Sequence, residues 1–279
     1  MKKILLLLLI ILTVSGCGTS GNEKSANENS ADKNSADKNS VKVGTLTQLN
    51  TAPKDAATVE GGKINFYDNF NSMQMALKSK QIDKMQTYQS VAKYLTGNNS
   101  DFAIDDSQRT VTLVDNFCCA MRAKDVELKN SFDAAINSMK KDGTLATLTE
   151  TFIDKPTLKP TAVSMPKFDD ADTIRVGITG DLPPLDLILA DGTPAGFNTA
   201  VLAEISNRIG ENIELVQIDS AARAVALTSG KVDVIFWVVV PEDQNRPKDF
   251  DTPEGVAVTD SYYQDYVVHV NLSNLGAGF

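Results

Sequence analysis

Residues 174–178, Ile-Arg-Val-Gly-Ile, open the stretch of sequence that decides the fold class. Their mostly β-branched, apolar character predicts a strand. The spacing then alternates, with helices predicted at Ala200 to Ile209 and Ala221 to Thr228, and strands at Ile213 to Ile218 and Val232 to Val240. Because strands that alternate with helices wind into a mainly parallel sheet, this stretch predicts an α/β fold.

The same alternation extends towards the N-terminus. The predicted segments are strands at Val41 to Leu46, Lys63 to Tyr67 and Val111 to Arg122, and helices at Asn71 to Lys80, Ser90 to Leu95, Val126 to Lys140 and Thr144 to Ile153. Three prolines between Lys155 and Asp172 indicate a linker between the two blocks.

Composition excludes several kinds of partner and site. The chain of 279 residues carries a net charge of −9, which opposes encounter with nucleic acid or an anionic membrane surface. Adjacent cysteines rarely form a disulfide without strain, and Cys118 and Cys119 have no zinc-site spacing. We therefore expect two small buried residues there, with no metal and no cofactor.

The N-terminus has the pattern of an export signal. Two lysines precede an apolar run from Ile4 to Leu12, and the run ends in small residues before Cys17. This end resembles the lipobox of bacterial lipoproteins, which implies lipidation of Cys17; an ordinary signal peptide with an incidental cysteine is the alternative. Residues 18–40 are rich in Ser, Asn, Lys and Asp, so we expect a disordered tether behind the leader of residues 1–17.

Several short motifs in the remainder of the chain resemble the bacterial family 3 extracellular solute-binding proteins, many of which bind amino acids. The motifs of one lobe are Ile174-Arg175-Val176-Gly177, Asp181-Leu182-Pro183-Pro184, residues 190–197, residues 227–235 and Thr259-Asp260-Ser261-Tyr262-Tyr263. Those of the other lobe are residues 42–47, 75–83, 124–128 and 141–145. The resemblance implies a periplasmic-binding-protein type II fold, in which two lobes enclose a ligand.

The order of these motifs is unusual. The family's second lobe would occupy residues 41–116, and the first lobe would follow at residues 117–279, with the linker at residues 155–172 between its closing helices and its opening strand. A circular permutation explains this order with one change, because chain ends that lie close together tolerate such rewiring. Two truncated copies of one module are the alternative, but they would leave apolar sheet edges exposed.

The resemblance also implies where a ligand binds. Thr47, Asn50 and Thr51 correspond to the family's hydroxyl-rich, anion-holding loop, although a simple helix cap would use the same residues. Arg246 lies near the position of a carboxylate-binding arginine, and Arg223 is a second candidate. A guanidinium at either position would bind a carboxylate through paired hydrogen bonds.

Two departures from the family weaken the prediction of an α-amino acid as ligand. Tyr88 stands where the family presents an acidic residue to the ligand's ammonium group, and a neutral phenol supplies no charge. Trp237 replaces a small or hydroxylated residue and, with Tyr88, would form an aromatic wall. Asp181 is then the candidate partner for a ligand's cation.

The sequence therefore predicts a monomeric, lipid-anchored binding protein on the extracytoplasmic face of the cell membrane. It would capture a small polar solute, an amino acid or related carboxylate, and close about hinges near residues 115–121 and 265–270. It would present the closed form to an ABC-type permease. The alternatives are a dehydratase-like enzyme on the same scaffold, or a ligand-sensing module for a signalling partner. We expect no catalytic residue, since the sole histidine, His269, lies in an apolar strand.

Overall fold

The computed structural model describes residues 40–47, 49, 63–105, 113–155, 160–242 and 251–273. Cys17, the tether, Asn50, Thr51 and Arg246 lie outside the described residues, so their predicted roles stay predictions. Within the described part, every helix is too short or too polar to span a bilayer.

The first part of the chain forms what we call the front section. Its elements are β1 (Lys42–Leu46), β2 (Lys63–Tyr67), α1 (Phe70–Lys78), β3 (Lys84–Tyr88), α2 (Gln89–Asn98) and β4 (Phe102–Asp105). Helix α1 begins where the side chain of Asn69 accepts a hydrogen bond from the N–H of Ser72 at 2.8 Å. It buries Phe70, Met73 and Leu77 on one face, as helical spacing of apolar residues requires.

The next part of the chain forms the rear section. Its strands are β5 (Val114–Arg122), β6 (Thr173–Ile178), β7 (Asp181–Leu182), β8 (Asp186–Ile188), β9 (Pro194–Ala195), β10 (Asn212–Gln217), β11 (Val234–Pro241) and β12 (Val256–Val258). Its helices are α3 (Val126–Asp142), α4 (Thr144–Thr149), α5 (Phe197–Ile209) and α6 (Arg223–Thr228). Cys118 and Cys119 lie buried and unpaired in β5, as predicted.

Strands of both sections join a ten-stranded sheet whose main path is β10-β6-β11-β5-β13-β3-β1-β2, where β13 is Tyr263–Leu272. Off this path, β12 pairs with β5 and β4 with β13, and β7, β8 and β9 form a separate three-stranded sheet. The outer strands are parallel: β10, β6 and β11 at one end and β3, β1 and β2 at the other. The α/β class is thus confirmed. The middle of the sheet differs from the predicted parallel order, because β5 and β13 pair antiparallel with each other and with their neighbours.

Strand β13 connects the two sections. Residues 263–266 pair with β5 of the rear section, whereas Val267 to Val270 pair with β3 of the front section. The chain passes between sections a second time in the stretch from β4 to β5. The predicted lobe boundary at residue 116 falls inside β5, and the last residues of β13 pair with the front section although the prediction assigned them to the other lobe.

The two sections also share a core. One cluster of buried side chains contains Met85 and Val91 of the front section together with Phe117, Phe236 and Trp237 of the rear section. Close packing of this kind couples the sections wherever their side chains interdigitate. The region where the sections meet is therefore formed by buried side chains from both.

Candidate functional site

The front and rear sections meet around residues 67–71, here called the junction segment, which joins β2 to the first turn of α1. Thr47, the residue after β1, contacts this segment. Its N–H donates to the carbonyl of Tyr67 at 2.9 Å, and its hydroxyl lies 3.2 Å from that carbonyl and 3.2 Å from Oδ1 of Asp68. Thr47 thereby fixes the end of β1 against the junction segment.

Arg223, the first residue of α6, bridges the two sections. Its Nη1 donates to the carbonyl of Trp237 at 2.7 Å, its Nε to that of Ser220 at 3.3 Å, and its Nη2 to that of Thr47, in the front section, at 3.0 Å. Only 1% of the residue is exposed. A buried guanidinium is stable only when its donors are satisfied, and here backbone carbonyls of three segments satisfy them. A ligand carboxylate would have to replace some of these bonds.

Asp251 provides the counter-charge for this guanidinium. Its Oδ1 lies 3.9 Å from Nη2 of Arg223 and accepts a hydrogen bond from the N–H of Leu49, while Oδ2 accepts from Val239 at 3.1 Å. The carboxyl is fully buried, and loss of solvation raises its pKa to about 6 although Arg223 opposes the rise. Sequence reasoning missed Asp251, because no local pattern distinguishes it from the neighbouring acidic residues.

Asp181, at the start of β7, contacts α1 from the rear section. Its Oδ2 accepts hydrogen bonds from the N–H of Phe70 at 2.7 Å and of Asn71 at 3.3 Å. Burial raises the pKa of this carboxyl, the two N–H groups lower it, and the charge of Asp219 raises it again. The N–H of Ser220, the residue after Asp219, donates to the carbonyl of Asp68 at 2.9 Å, which makes a second contact with the junction segment.

Aromatic side chains pack beside Arg223. The ring centroids of Tyr88 and Phe117 are 4.7 Å apart, those of Tyr88 and Trp237 5.7 Å, and those of Phe117 and Trp237 5.2 Å. The guanidinium carbon of Arg223 lies 5.3 Å from the Trp237 ring, within range of a cation–π interaction. The hydroxyl of Tyr88 donates to Oδ2 of Asp115 at 3.3 Å. Tyr88 and Trp237 thus contact each other, but as buried residues.

Asp186 holds the loop that presents Asp181. Its carboxylate accepts hydrogen bonds from the N–H of Thr179 at 3.0 Å, the hydroxyl of Thr179 at 3.1 Å and the N–H of Gly180 at 3.1 Å. Complete burial raises its pKa to about 7, against the lowering effect of these bonds and with a further rise from Asp181. This residue was also missed, since an acidic residue four positions before a turn has no distinctive sequence signal.

The structure brings five predicted site residues into one network: Thr47, Tyr88, Asp181, Arg223 and Trp237. Arg223 links Thr47 to Trp237, Trp237 contacts Tyr88, and Thr47 and Asp181 reach the junction segment from opposite sections. Among the described residues, no group of three or more His, Cys, Asp or Glu side chains is arranged to hold a metal ion. The roles of these residues in ligand binding stay predictions.

Comparison with known proteins assigns two segments of the chain. Residues 174–270, about a third of the chain, match the model of the bacterial extracellular solute-binding proteins, family 3. Residues 1–17 match the prokaryotic membrane lipoprotein lipid attachment site. No curated protein matches the chain.

Solved structures with a similar arrangement are distant. The ligand-binding component of an ABC-type import system from Staphylococcus aureus, with zinc bound, is 10% identical at a TM-score of 0.41; the match covers 84% of this chain and 66% of that one. A nutrient-binding protein from Burkholderia cenocepacia bound to methionine is 11% identical at a TM-score of 0.36, covering 83% and 84%. At such values the assignment depends on the family match, not on the structural likeness.

The two sequence matches describe different parts of the chain. The lipid attachment site places the protein on the extracytoplasmic face of the membrane, held by its N-terminal lipid. Further along the chain, residues 174–270 are similar to the bacterial extracellular solute-binding proteins, family 3.

Proposed function

We propose that this protein captures a small polar solute at the junction between its front and rear sections and delivers it to an ABC-type permease. The observation that carries the proposal is the convergence of five predicted site residues on that junction, within a chain whose rear section matches a solute-binding family. The convergence is informative because the contacts join residues more than a hundred positions apart.

The proposed mechanism is hinge closure. The two sections connect through β13, near Tyr266 and Val267, and rotation there and at the predicted hinge of residues 115–121 would open the junction. Opening would break the contacts from Arg223 to Thr47, from Ser220 to Asp68 and from Asp181 to Phe70. At about 1 kcal/mol net for each hydrogen bond, a solute needs only modest binding energy to shift such an equilibrium.

The charges at the junction favour a solute with a carboxylate group. Arg223 is the buried cation of the network, so a solute carboxylate could compete with the backbone carbonyls for its donors. Tyr88 brings no charge of its own, and Asp181 and Asp251 are the carboxylates available to a cationic group. An amino acid or a related carboxylate fits this arrangement best.

We also propose that the front section corresponds to the family's second lobe, placed before the first by circular permutation. The crossing of β13 from the rear to the front section supports this, since a permuted clamshell requires its chain to pass between lobes at the hinge. The alternative of two truncated modules would give each module its own main sheet, whereas here one ten-stranded sheet contains strands of both sections.

A thermal-shift screen of the purified full-length protein tests the proposed function. The panel contains amino acids, small mono- and dicarboxylates, amines and nucleosides. A solute present at about 100 times its Kd adds roughly 2.7 kcal/mol to the free energy of unfolding, which gives a clear rise in Tm. We expect the carboxylate-bearing compounds to stabilise the protein and the amines and nucleosides to leave it unchanged.

Two results would contradict the proposal. The first is a screen in which no compound raises the Tm. The second is chemical conversion of a stabilising compound, detected by mass spectrometry. Such turnover would favour an enzyme on the same scaffold. Calorimetric titration of each positive compound separates specific binding from a general effect of added salt.

A further inference from the structure

The contact between Asp181 and α1 joins the two sections through a single carboxylate oxygen. Oδ2 accepts both hydrogen bonds, from Phe70 and Asn71, which lie 111 and 110 positions away in the chain. The other oxygen, Oδ1, is buried and has no hydrogen-bond partner within the described part of the chain. The carboxylate of Asp181 therefore loses hydration when it forms its contact with α1.

The start of α1 is fully occupied by this arrangement. A helix leaves its first N–H groups without partners inside the helix, and their partial positive charge attracts an anion. In α1 the side chain of Asn69 binds the N–H of Ser72, and Asp181 binds those of Phe70 and Asn71. Asn69 belongs to the front section itself, but Asp181 comes from the rear section. Its hydrogen bonds to α1 therefore form only when the two sections meet as they do here.

The surroundings of Asp181 make the contact easy to break. Burial and the charge of Asp219 disfavour its ionised form, whereas the two N–H groups favour it. Behind it, Asp186 holds the N–H groups of Thr179 and Gly180, so the loop aims Asp181 at α1 without further adjustment. A contact whose hydrogen bonds are opposed by desolvation and by a neighbouring negative charge is suited to reversible closure.

We propose that Asp181 is an internal latch, a carboxylate of the rear section that holds the junction closed by binding the start of α1 in the front section. The latch rests on the proposed hinge movement. It adds a second source of stability for the closed arrangement, because the Asp181 carboxylate, as well as the solute, stabilises closure. Loss of the latch shifts the equilibrium towards the open arrangement and leaves each section folded.

The experiment measures the distance between the two sections without any added solute. Cysteines introduced at Met75 in α1 and Val225 in α6, which are 70% and 68% exposed, carry spin labels. Cys118 and Cys119 are buried, and burial raises the pKa of the Cys118 thiol to about 12, so the native thiols of β5 resist labelling. Pulsed spin-resonance spectroscopy on the full-length protein then gives the distance distribution.

Variants at Asp181 should open the molecule in a fixed order. Asp181→Asn keeps an acceptor but loses the charge, and Asp181→Ala loses both, so the open-to-closed ratio should rise moderately in the first and roughly tenfold in the second. Asp191, in the turn between β8 and β9 of the same three-stranded sheet, accepts a hydrogen bond from the N–H of Thr193; Asp191→Asn is the matched control and should leave the distances unchanged.

A purely structural role for Asp181 predicts a different result. Asn69→Ala removes the local cap of α1 and should lower the Tm without altering the distances. If the Asp181 variants behave like Asn69→Ala, with a lower Tm and an unchanged distance distribution, the latch is wrong. Because no solute is used, this outcome is independent of the solute screen, and either proposal can fail without the other.

Discussion

At the scale of single residues, the junction consists of charged groups whose partners are mostly backbone atoms. Arg223 was predicted to bind a ligand, and the structure shows its guanidinium bound to the carbonyls of Thr47, Ser220 and Trp237. Such an arginine stabilises the closed junction whether or not it also contacts a solute. Asp251 compensates its charge, although the 3.9 Å separation indicates a weaker pairing than a direct hydrogen bond.

This arrangement predicts the effect of removing Arg223. Arg223→Met leaves three carbonyls and the Asp251 carboxylate without their partner, and should lower the free energy of unfolding by about 3 kcal/mol. Asp251→Asn in the same chain should recover part of this loss, because it removes the uncompensated charge. Urea unfolding of both single variants and the double variant gives the coupling free energy between Arg223 and Asp251. Arg175→Met, at an ion pair that is 42% exposed on the arginine side, is the control and should cost far less than Arg223→Met. Equal losses at Arg223 and Arg175 would contradict this account.

Asp186 predicts a dependence of stability on pH. Its pKa of about 7 in the folded protein exceeds the ordinary value of 3.8, so between these values the folded state binds a proton that the unfolded state releases. The contribution of Asp186 to stability therefore falls as the pH rises from about 4 to 7. Asp186→Asn lacks this titration, and its unfolding free energy should decline less than that of the wild type between pH 5 and 7.5. The exposed Asp169→Asn variant should keep the wild-type slope. Parallel slopes for the wild type and Asp186→Asn would exclude the effect.

At the scale of elements, the sequence predicts well where local chemistry decides the structure. The helix predicted from Val126 is α3, and Gly143 ends it in the left-handed region at a φ of 83°. The helix predicted at Ala221 is instead a short 3-10 turn at residues 220–222 followed by α6, so Arg223 becomes the first α-helical residue. The antiparallel pairing of β5 and β13 was not predicted, because strand direction depends on which distant strand lies alongside.

Two glycines allow a matched test of helix ends. Space is open around both Gly143 and Gly97, so only backbone conformation distinguishes them. Gly143→Ala places a side chain in the left-handed region and should destabilise the protein by about 1 kcal/mol. Gly97 lies within α2, where Ala is favoured by roughly 0.5–1 kcal/mol, so Gly97→Ala should stabilise it. Changes of the same sign in chemical denaturation would show that something other than helix-end geometry controls these positions.

At the scale of the whole molecule, the sections are joined at three levels: one sheet, one shared cluster of buried side chains and a set of polar contacts at the junction. The proposed rotation about the crossing in β13 would bend the shared sheet near its middle, and the polar contacts at the junction would then exchange partners.

The sequence by itself indicated the export signal, the lipid attachment site, the α/β class and the similarity of residues 174–270 to a solute-binding family. These follow from composition, short motifs and the periodicity of neighbouring residues. Only the tertiary structure decided that Arg223 is bound by backbone carbonyls, that Asp181 caps α1, and that Asp251 and Asp186 belong to the network. The contact between Leu49 and Asp251 spans 202 positions, and that between Asp181 and Phe70 spans 111. Local patterns carry no information about such pairs, because the fold alone brings their atoms together.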